Sequence, residues 1–77
     1  MAKEIRLPKL SPGMTQGTIV VWLVAVGDAI AKGQPILQLE TDKAVLEVEA
    51  PASGTVTRIL HVDGAQVDVD AVIALFE

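Results

Sequence analysis

The sequence predicts an all-β fold, a small sandwich or barrel, from three observations. Several short runs rich in apolar and β-branched residues follow one another closely along the chain. Turn signals containing Gly or Pro separate these runs, as at Pro12-Gly13, Gly27-Asp28 and Asp63-Gly64. No segment of useful length repeats its apolar residues with the period of a helix. Short strands at close spacing with such turns are typical of β-sandwiches and barrels.

Six strands follow from this pattern. Residues 4–8 form the first, which is expected at a sheet edge because Pro8 cannot donate to a ladder. Residues 18–24 are rich in β-branched residues and form the longest strand. Ile30 lies between two turn signals and is expected to be buried. The remaining strands are 35–40, 44–49, 55–60 and 71–76.

Two of these strands, 35–40 and 44–49, are close enough to form a hairpin with Asp42 and Lys43 at its tip. Asp-Lys lacks the Gly or Asn that the favoured hairpin turns require, so we expect a type I turn and some distortion of the neighbouring pairs. On spacing alone, Lys43 is a solvated lysine on an exposed loop.

Burial fixes the register of this hairpin, because a shift of one residue would move its leucines into water. The buried face is then expected to pair Leu39 with Leu46 and Leu37 with Val48. The opposite face exposes the polar residues Gln38, Glu40, Glu47 and Glu49.

Length and composition limit residues 1–77 to one small domain and exclude several function classes. A net charge of -4 with scattered basic residues argues against a nucleic-acid surface. The absence of Cys excludes disulfides, thiol catalysis and zinc–thiolate sites. With a single His, we expect no catalytic or metal-binding residue in the unmodified chain. No apolar run is long enough to span a membrane and no signal peptide is evident, so we expect a soluble protein.

An internal repeat relates residues 17–40 to residues 54–77 at a constant offset of 37. Two half-domains of this kind predict a pseudo-two-fold axis. Since Glu40 leads into the hairpin and its equivalent Glu77 follows the last strand, Lys43 is expected at the pole opposite Glu77. The identical pairs are Gly17/Gly54, Thr18/Thr55, Leu23/Leu60, Gly27/Gly64, Ile36/Ile73 and Glu40/Glu77.

The segment Glu40-Thr41-Asp42-Lys43-Ala44 closely resembles the lipoylation motif of lipoyl domains, the carriers of the 2-oxo acid dehydrogenase complexes. The resemblance covers nearly the whole chain and implies a flattened barrel of two small antiparallel sheets with pseudo-two-fold symmetry. It also implies that Lys43 carries lipoic acid in amide linkage. Glycines sixteen residues before this lysine and eleven after it match the family's spacing. The residues implied in recognition by the modifying enzyme are Glu40, Asp42, Ala44, Gly27 and Gly54.

By this resemblance the domain is a swinging-arm carrier, not an enzyme, excised from a longer dihydrolipoyllysine acyltransferase chain. Its arm would accept an acyl group from a thiamine-diphosphate 2-oxo acid decarboxylase and deliver it to a coenzyme A acyltransferase domain. A flavin dihydrolipoyl dehydrogenase would reoxidise the arm, and a lipoate ligase or lipoyl transferase would attach it. No nucleic acid or membrane is expected as a partner. The expected compartment is the cytoplasm of a bacterium or archaeon, or the mitochondrial matrix of a eukaryote.

The acyl group and the role of the surrounding acids are less determined. The segment 7–12, followed by Met14 and residues 17–19, is most similar to pyruvate dehydrogenase acetyltransferases, which favours an acetyl group. The acids around Lys43 either select partners electrostatically or form a solvated face, and both readings stay open. These acids are Glu40, Asp42, Glu47 and Glu49.

Three alternatives remain. A biotin carrier also modifies a hairpin lysine, although usually within Met-Lys-Met, whereas Asp42 and Ala44 flank Lys43 here. The glycine-cleavage carrier protein is lipoylated too, but it is a longer chain. An unmodified lipoyl-like domain with a structural role, as in an export-system adaptor, would not need the motif.

His61 departs from the family pattern, which usually has an aliphatic residue at this place. Alternation with Ile59 points His61 inward, and its repeat partner is Val24. We therefore expect a buried or half-buried neutral histidine without a chemical role. Trp22 is likewise expected in the core and not on a ligand-binding surface.

Overall fold

A computed structural model describes residues 2–77, and these residues form eight strands and no helix. The strands are β1 Lys3–Arg6, β2 Gln16–Trp22, β3 Ala29–Ile30, β4 Pro35–Glu40, β5 Val45–Glu49, β6 Gly54–Ile59, β7 Gln66–Asp68 and β8 Val72–Phe76. The prediction of an all-β fold is confirmed.

The strands form two antiparallel sheets of four strands each. One sheet has the order β1-β8-β6-β3, and the other has the order β5-β4-β2-β7. The two sheets enclose a core made entirely of apolar side chains, and no polar side chain among the described residues is buried. Apolar burial is the main favourable contribution to folding, so the alternation of apolar residues along each strand determines which face turns inward. The core residues are Ile5, Leu7, Ile19, Val24, Ile30, Ile36, Leu37, Leu39, Val48, Ala50, Val56, Val67, Ile73, Ala74 and Phe76.

The sheet orders confirm the pseudo-two-fold repeat. The equivalent strands are β1 and β5, β8 and β4, β6 and β2, and β3 and β7. Exchanging each strand for its equivalent converts the order of one sheet into that of the other. The register repeats as well, because Ile19 pairs with Leu39 and their equivalents Val56 and Phe76 also pair. In both pairs of strands the register then shifts by one residue immediately afterwards. A β-bulge at this place is therefore part of the repeated unit.

The two repeats also exchange hydrogen bonds through equivalent glycine turns. The N–H of Gly27 donates to the carbonyl of Val56 at 2.8 Å, and the N–H of Gly64 donates to the carbonyl of Ile19 at 2.6 Å. Both glycines have a positive φ, +96° and +88°, a conformation that residues with a side chain rarely adopt. The turn of each repeat thus closes against the first long strand of the other.

The strand boundaries differ from the prediction where the chain makes short or irregular pairings. β1 ends at Arg6 and not at Pro8, after its register with β8 shifts. β2 begins at Gln16 because this residue and Gly17 pair with β7. Neither β3 nor β7 was predicted, since two or three residues are too few to show a period. Ile30 in β3 is buried, as predicted.

Candidate attachment site at the hairpin tip

β4 and β5 form the predicted hairpin with the predicted register. Leu39 lies opposite Leu46, and Leu37 lies opposite Val48. Three of these four side chains are buried and Leu46 is half-buried, whereas the glutamates of the opposite face are exposed. The register of the hairpin is therefore fixed, because a shift of one residue would move these side chains into water. The position of the tip relative to the core is fixed with it.

The turn itself contains Asp42 and Lys43, both exposed. Neither has a positive φ, which excludes turn types I′, II′ and II and agrees with the predicted type I turn. The expected distortion of the neighbouring pairs is wrong. Glu40 pairs regularly with Val45 next to the tip, and the register shift of this hairpin lies at its other end, after Pro35.

The turn has no glycine and is instead closed by hydrogen bonds of the Thr41 hydroxyl. Its Oγ1 accepts from the N–H of Lys43 at 3.3 Å and from the N–H of Ala44 at 3.2 Å, and it donates to the carbonyl of Ala44 at 3.1 Å. The N–H of Thr41 donates to the same carbonyl at 2.8 Å. This role of Thr41 was not predicted, although Ser and Thr are known to bond backbone groups two and three residues ahead.

The side chain of Lys43 extends into solvent from this closed turn. Within residues 2–77 the structure shows neither an ion pair nor a hydrogen bond to its amine. The exposed residues Glu40 and Asp42 lie before it in the chain, and Glu47 lies opposite Gln38 on the outer face. An accessible amine on a fixed backbone, with acids around it, is suited to acylation by another protein.

A polar groove of about 390 Å³ lies beside the tip. The loop before β2 forms one wall, and the hairpin residues Glu40, Thr41 and Asp42 form the other, with Gln66 of β7 contributing as well. Gln66 Nε2 donates to Gln16 Oε1 at 3.1 Å, and Gln16 Nε2 donates to Asp68 Oδ1 at 3.1 Å, which ties β2 to β7 below the groove. The fold therefore brings a loop more than twenty residues earlier in the chain next to the hairpin.

The tip and the end of β8 lie at opposite poles, as the repeat predicts. Thr18 pairs with Glu40 at the base of the tip. β2 then leads to the turn in which Gly27 bonds to Val56, and Val56 pairs with Phe76 near the end of β8. β2 therefore leads from the base of the tip toward the end of β8 in a molecule of 32 × 21 × 18 Å.

Two residues predicted for recognition, Gly27 and Gly54, make their described contacts away from the tip and have structural roles there. Gly27 supplies the left-handed turn that bonds to Val56. A Cβ on Gly54 would lie 2.5 Å from the carbonyl oxygen of Glu77 and 2.8 Å from Cδ2 of Phe76. The backbone conformation at Gly27 and the close packing at Gly54 each explain why a glycine is needed there. A part for either glycine in recognition stays a prediction.

Trp22 and His61 meet away from the tip. Trp22 packs against the core and donates its Nε1–H to the backbone carbonyl of His61 at 2.7 Å. Its own N–H donates to Oδ1 of Asp63 at 2.9 Å. His61 is half-buried, as expected, and the described contacts give its ring no hydrogen-bond partner.

The described residues 2–77 offer neither a cluster of metal ligands nor a membrane-spanning helix. No group of three or more His, Cys, Asp or Glu side chains in this range is arranged to hold a metal ion. None of these residues belongs to a helix long and apolar enough to cross a lipid bilayer.

The comparisons with known proteins agree with this geometry. The biotin–lipoyl family model, described as "biotin-requiring enzyme", matches residues 3–76. The solved structure of the lipoyl domain of the 2-oxoglutarate dehydrogenase complex from Azotobacter vinelandii is 31% identical, with a TM-score of 0.71 over 96% of this chain and 95% of that domain. The chain belongs to the lipoyl-domain family.

Other proteins contain a region similar to this lipoyl domain. The crystal structure of Kluyveromyces lactis urea carboxylase matches it with a TM-score of 0.81 at 26% identity, over 100% of this chain and 6% of that one. The acetyltransferase component of the pyruvate dehydrogenase complex of Corynebacterium glutamicum is 42% identical over 95% of this chain. The succinyltransferase component of the 2-oxoglutarate dehydrogenase complex of Bartonella vinsonii is 36% identical over 100% of it. The lipoyl domain spans only 11% and 19% of these two relatives.

The family implies a covalently attached lipoate or biotin-like cofactor. The tip fits such a group, because Lys43 offers an exposed amine on a turn closed by Thr41. Nothing in the described structure encloses that amine, so an attached group could extend freely from the pole.

Proposed function

We propose that Lys43 is the attachment site of lipoic acid and that this domain carries acyl groups on the resulting arm. The observation that supports this most directly is the exposed Lys43 amine at the tip of the β4–β5 hairpin, between Asp42 and Ala44. Amide formation removes the charge of the amine and anchors the arm to a backbone fixed by the Thr41 hydroxyl.

The other lysines occupy less suitable places. Lys3 lies on β1 with its Nζ 5.7 Å from the ring centroid of Phe76, at the opposite pole. Lys9 lies in the loop after β1, and Lys32 lies in the turn between β3 and β4. Neither of these two positions is the tip of a hairpin with long paired strands. Of these four lysines, Lys43 is therefore the one at the tip of a hairpin with long paired strands.

When bound, lipoic acid supplies a ring disulfide that can be reductively acylated to a thioester and reoxidised afterwards. The residues of this chain supply position and identity. The fixed hairpin directs the arm away from the domain, and tethering raises the effective concentration of the arm at each partner site within its reach. With one His and no Cys, the sequence offers few residues for nucleophilic catalysis, which supports the role of a carrier.

The relatives suggest the parent protein and its partners. We propose that these residues form the lipoyl domain of a longer dihydrolipoyllysine acyltransferase, because the matched relatives are acetyltransferase and succinyltransferase components of such complexes. The partners would be a thiamine-diphosphate 2-oxo acid decarboxylase, the acyltransferase domain and dihydrolipoyl dehydrogenase. The acetyl group is favoured by the segment at residues 7–12, whereas overall identity does not separate the two, since an acetyltransferase and a succinyltransferase component are both 42% identical to this chain.

A second candidate is a biotin carrier, since the family description names biotin-requiring enzymes. Asp42 and Ala44 beside the lysine favour lipoic acid over biotin, because the biotin carriers usually have Met on both sides. A third candidate is an unmodified structural domain. That role would not depend on the amine of Lys43.

Enzymatic modification of the domain separates these candidates. The domain is incubated with a lipoate ligase, ATP and lipoic acid, and in parallel with a biotin ligase, ATP and biotin, and its intact mass is then measured. We expect one lipoyl group, lost in Lys43→Arg and retained in Lys32→Arg, and no biotin. Biotin at Lys43 would favour the second candidate. A folded domain that neither ligase modifies would favour the third.

A further inference from the structure

The hydroxyl of Thr41 makes three hydrogen bonds within the hairpin tip. As acceptor it binds two consecutive N–H groups, those of Lys43 and Ala44, at 3.3 and 3.2 Å. As donor it binds the carbonyl of Ala44 at 3.1 Å. Thr41 thereby fixes the residue that bears the proposed arm and the residue after it, while its own N–H is bonded across the hairpin at 2.8 Å.

The need for these bonds follows from the turn sequence. Two-residue hairpins are best connected by types I′ and II′, whose twist matches that of the strands, but Asp42 and Lys43 both have negative φ. A type I turn between twisted strands is less suited to this connection, so the tip requires additional bonds to stay in one conformation. A side-chain hydroxyl that bonds N–H groups two and three residues ahead provides them.

Water limits what these bonds contribute to global stability. Lys43 and Ala44 are exposed, so their N–H groups can bond to solvent when the hydroxyl is absent. The strands below the tip are held by the buried pairs of Leu37 and Leu39 and do not depend on Thr41. Loss of the hydroxyl therefore changes the range of tip conformations more than it changes the free energy of unfolding.

We infer that Thr41 is a positioning residue for the acylation of Lys43. It touches neither the amine nor the incoming acyl group, and it acts by restricting the backbone from which the lysine extends. An acylating enzyme has to meet the amine in one geometry, and small displacements of a reacting group can slow a reaction about a hundredfold. This inference rests on the proposed function, since it concerns the modification of Lys43.

Two substitutions isolate the hydroxyl. Thr41→Val keeps the branched shape and removes the hydrogen bonds, whereas Thr41→Ser keeps the hydroxyl and removes the methyl group. Thr57→Val is a matched control, because Thr57 is an exposed residue of β6 whose described side chain makes no hydrogen bond. Each variant is compared with the unmodified wild-type domain for lipoate ligase kinetics, amide hydrogen exchange and denaturant unfolding.

We expect Thr41→Val to lower kcat/KM for lipoylation about tenfold or more. The loss should appear mainly in kcat, because the side chains of Glu40 and Asp42 remain available for binding. Amide exchange should accelerate at Lys43 and Ala44 while the rest of the hairpin keeps its protection. Thr41→Ser should restore most of the rate, and Thr57→Val should leave both measurements unchanged.

Several results would overturn the inference. Wild-type kinetics in a folded Thr41→Val domain would show that the hydroxyl is not needed, and equal losses in Thr41→Val and Thr41→Ser would assign the effect to the methyl group. If Thr41→Val did not fold, Thr41→Ala would replace it under the same criteria. If wild type and Thr57→Val were folded but both unmodified, the proposed function would fail together with the inference, a pattern distinct from a selective effect at Thr41.

Discussion

Asp70 and Gly33 occupy equivalent positions in the two repeats and share one backbone conformation, with φ of +74° and +87°. The N–H of Asp70 donates to the carbonyl of Leu7 at 2.9 Å, and the N–H of Gly33 donates to the carbonyl of Ala50 at 3.0 Å. These bonds join each turn to the residue after β1 or β5, which extends the pseudo-symmetry to two strands outside the repeated segments 17–40 and 54–77. Glycine adopts this conformation freely, and Asp is among the few other residues that tolerate it.

Substitution at Gly33 should therefore depend on backbone conformation and not on space. A Cβ at Gly33 would meet no atom within 4 Å, so steric clash with neighbours is absent. We expect Gly33→Val to lower the free energy of unfolding by about 1–3 kcal/mol, the usual cost of a left-handed conformation for a non-glycine residue. Gly33→Asn should lose less, and urea denaturation of both variants provides the measurement. Equal losses in the two variants would contradict this explanation.

Gly54 and Gly17 are repeat equivalents that should respond differently to alanine. A Cβ at Gly54 would approach a backbone oxygen, that of Glu77, to 2.5 Å, whereas a Cβ at Gly17 would approach only side-chain atoms of Leu39, at 2.9 to 3.0 Å. Backbone yields less than a side chain, so we expect Gly54→Ala to destabilise the fold by about 1–3 kcal/mol and Gly17→Ala by less.

The same pair of variants tests whether Gly54 has a part in recognition. Once folded, Gly54→Ala should be lipoylated at the wild-type rate if this glycine acts only through the backbone packing seen here. Thermal unfolding and ligase kinetics, measured on the same samples, separate the two roles. A slower reaction at unchanged stability would assign Gly54 to recognition.

The sequence was sufficient to predict the hairpin and its register, and the reason is physical. In β4 and β5 the leucines and Val48 alternate with polar residues, so only one register buries them. β3 and β7 could not be predicted, because each buries a single residue, Ile30 or Val67, and one residue has no period. Gln16 lies outside the predicted strand 18–24 for the same reason, since its partner Asp68 belongs to an unpredicted strand.

The candidate site was predicted in part. Lys43 was identified from its motif and from its place between two alternating strands. The groove beside the tip was not predicted, because it joins the loop before β2 to the hairpin through tertiary contacts. The role of Thr41 could have been found, since a Thr two residues before an exposed turn position is a recognised turn signal.

Substitutions at Trp22 and His61 test whether the hydrogen bond between them or the His61 ring stabilises the fold. Trp22→Phe removes the donor to the His61 carbonyl, a bond of 2.7 Å, and leaves that acceptor without its partner. We expect a loss of about 1–3 kcal/mol in the free energy of unfolding. His61→Val changes only the side chain and restores the residue type of the repeat partner Val24, so stability should stay within about 0.5 kcal/mol. Chemical denaturation of both variants checks this, and a larger loss in His61→Val would reveal a role for its ring.

The acids near the tip should affect partner recognition and not folding. Glu40 and Glu47 are exposed, and the described structure shows no ion pair for either. In the lipoylated domain we expect Glu40→Gln combined with Glu47→Gln to lower the efficiency of acyl transfer from the decarboxylase without loss of stability, because charge complementarity guides association. Glu4→Gln, on the other sheet, controls for the loss of a negative charge away from the tip, and it also removes the exposed ion pair between Glu4 and Arg6.

Ionic strength distinguishes this effect from a local change in shape. Exposed charges are screened over about 8 Å at physiological salt, so the difference between the double variant and wild type should shrink as salt is added. Stopped-flow acylation at low and high salt measures it. Unchanged kinetics at low salt would show that these acids form only a solvated face.

We propose that Lys43 carries a lipoyl group in the natural protein. The most direct test is to purify that protein from its own cells, digest it, and determine by fragment-ion mass spectrometry what is attached to residue 43. We predict one lipoyl group in amide linkage on Lys43, with Lys32 and Lys9 unmodified. An unmodified Lys43 in a protein isolated from active cells, or biotin in its place, would contradict the claim.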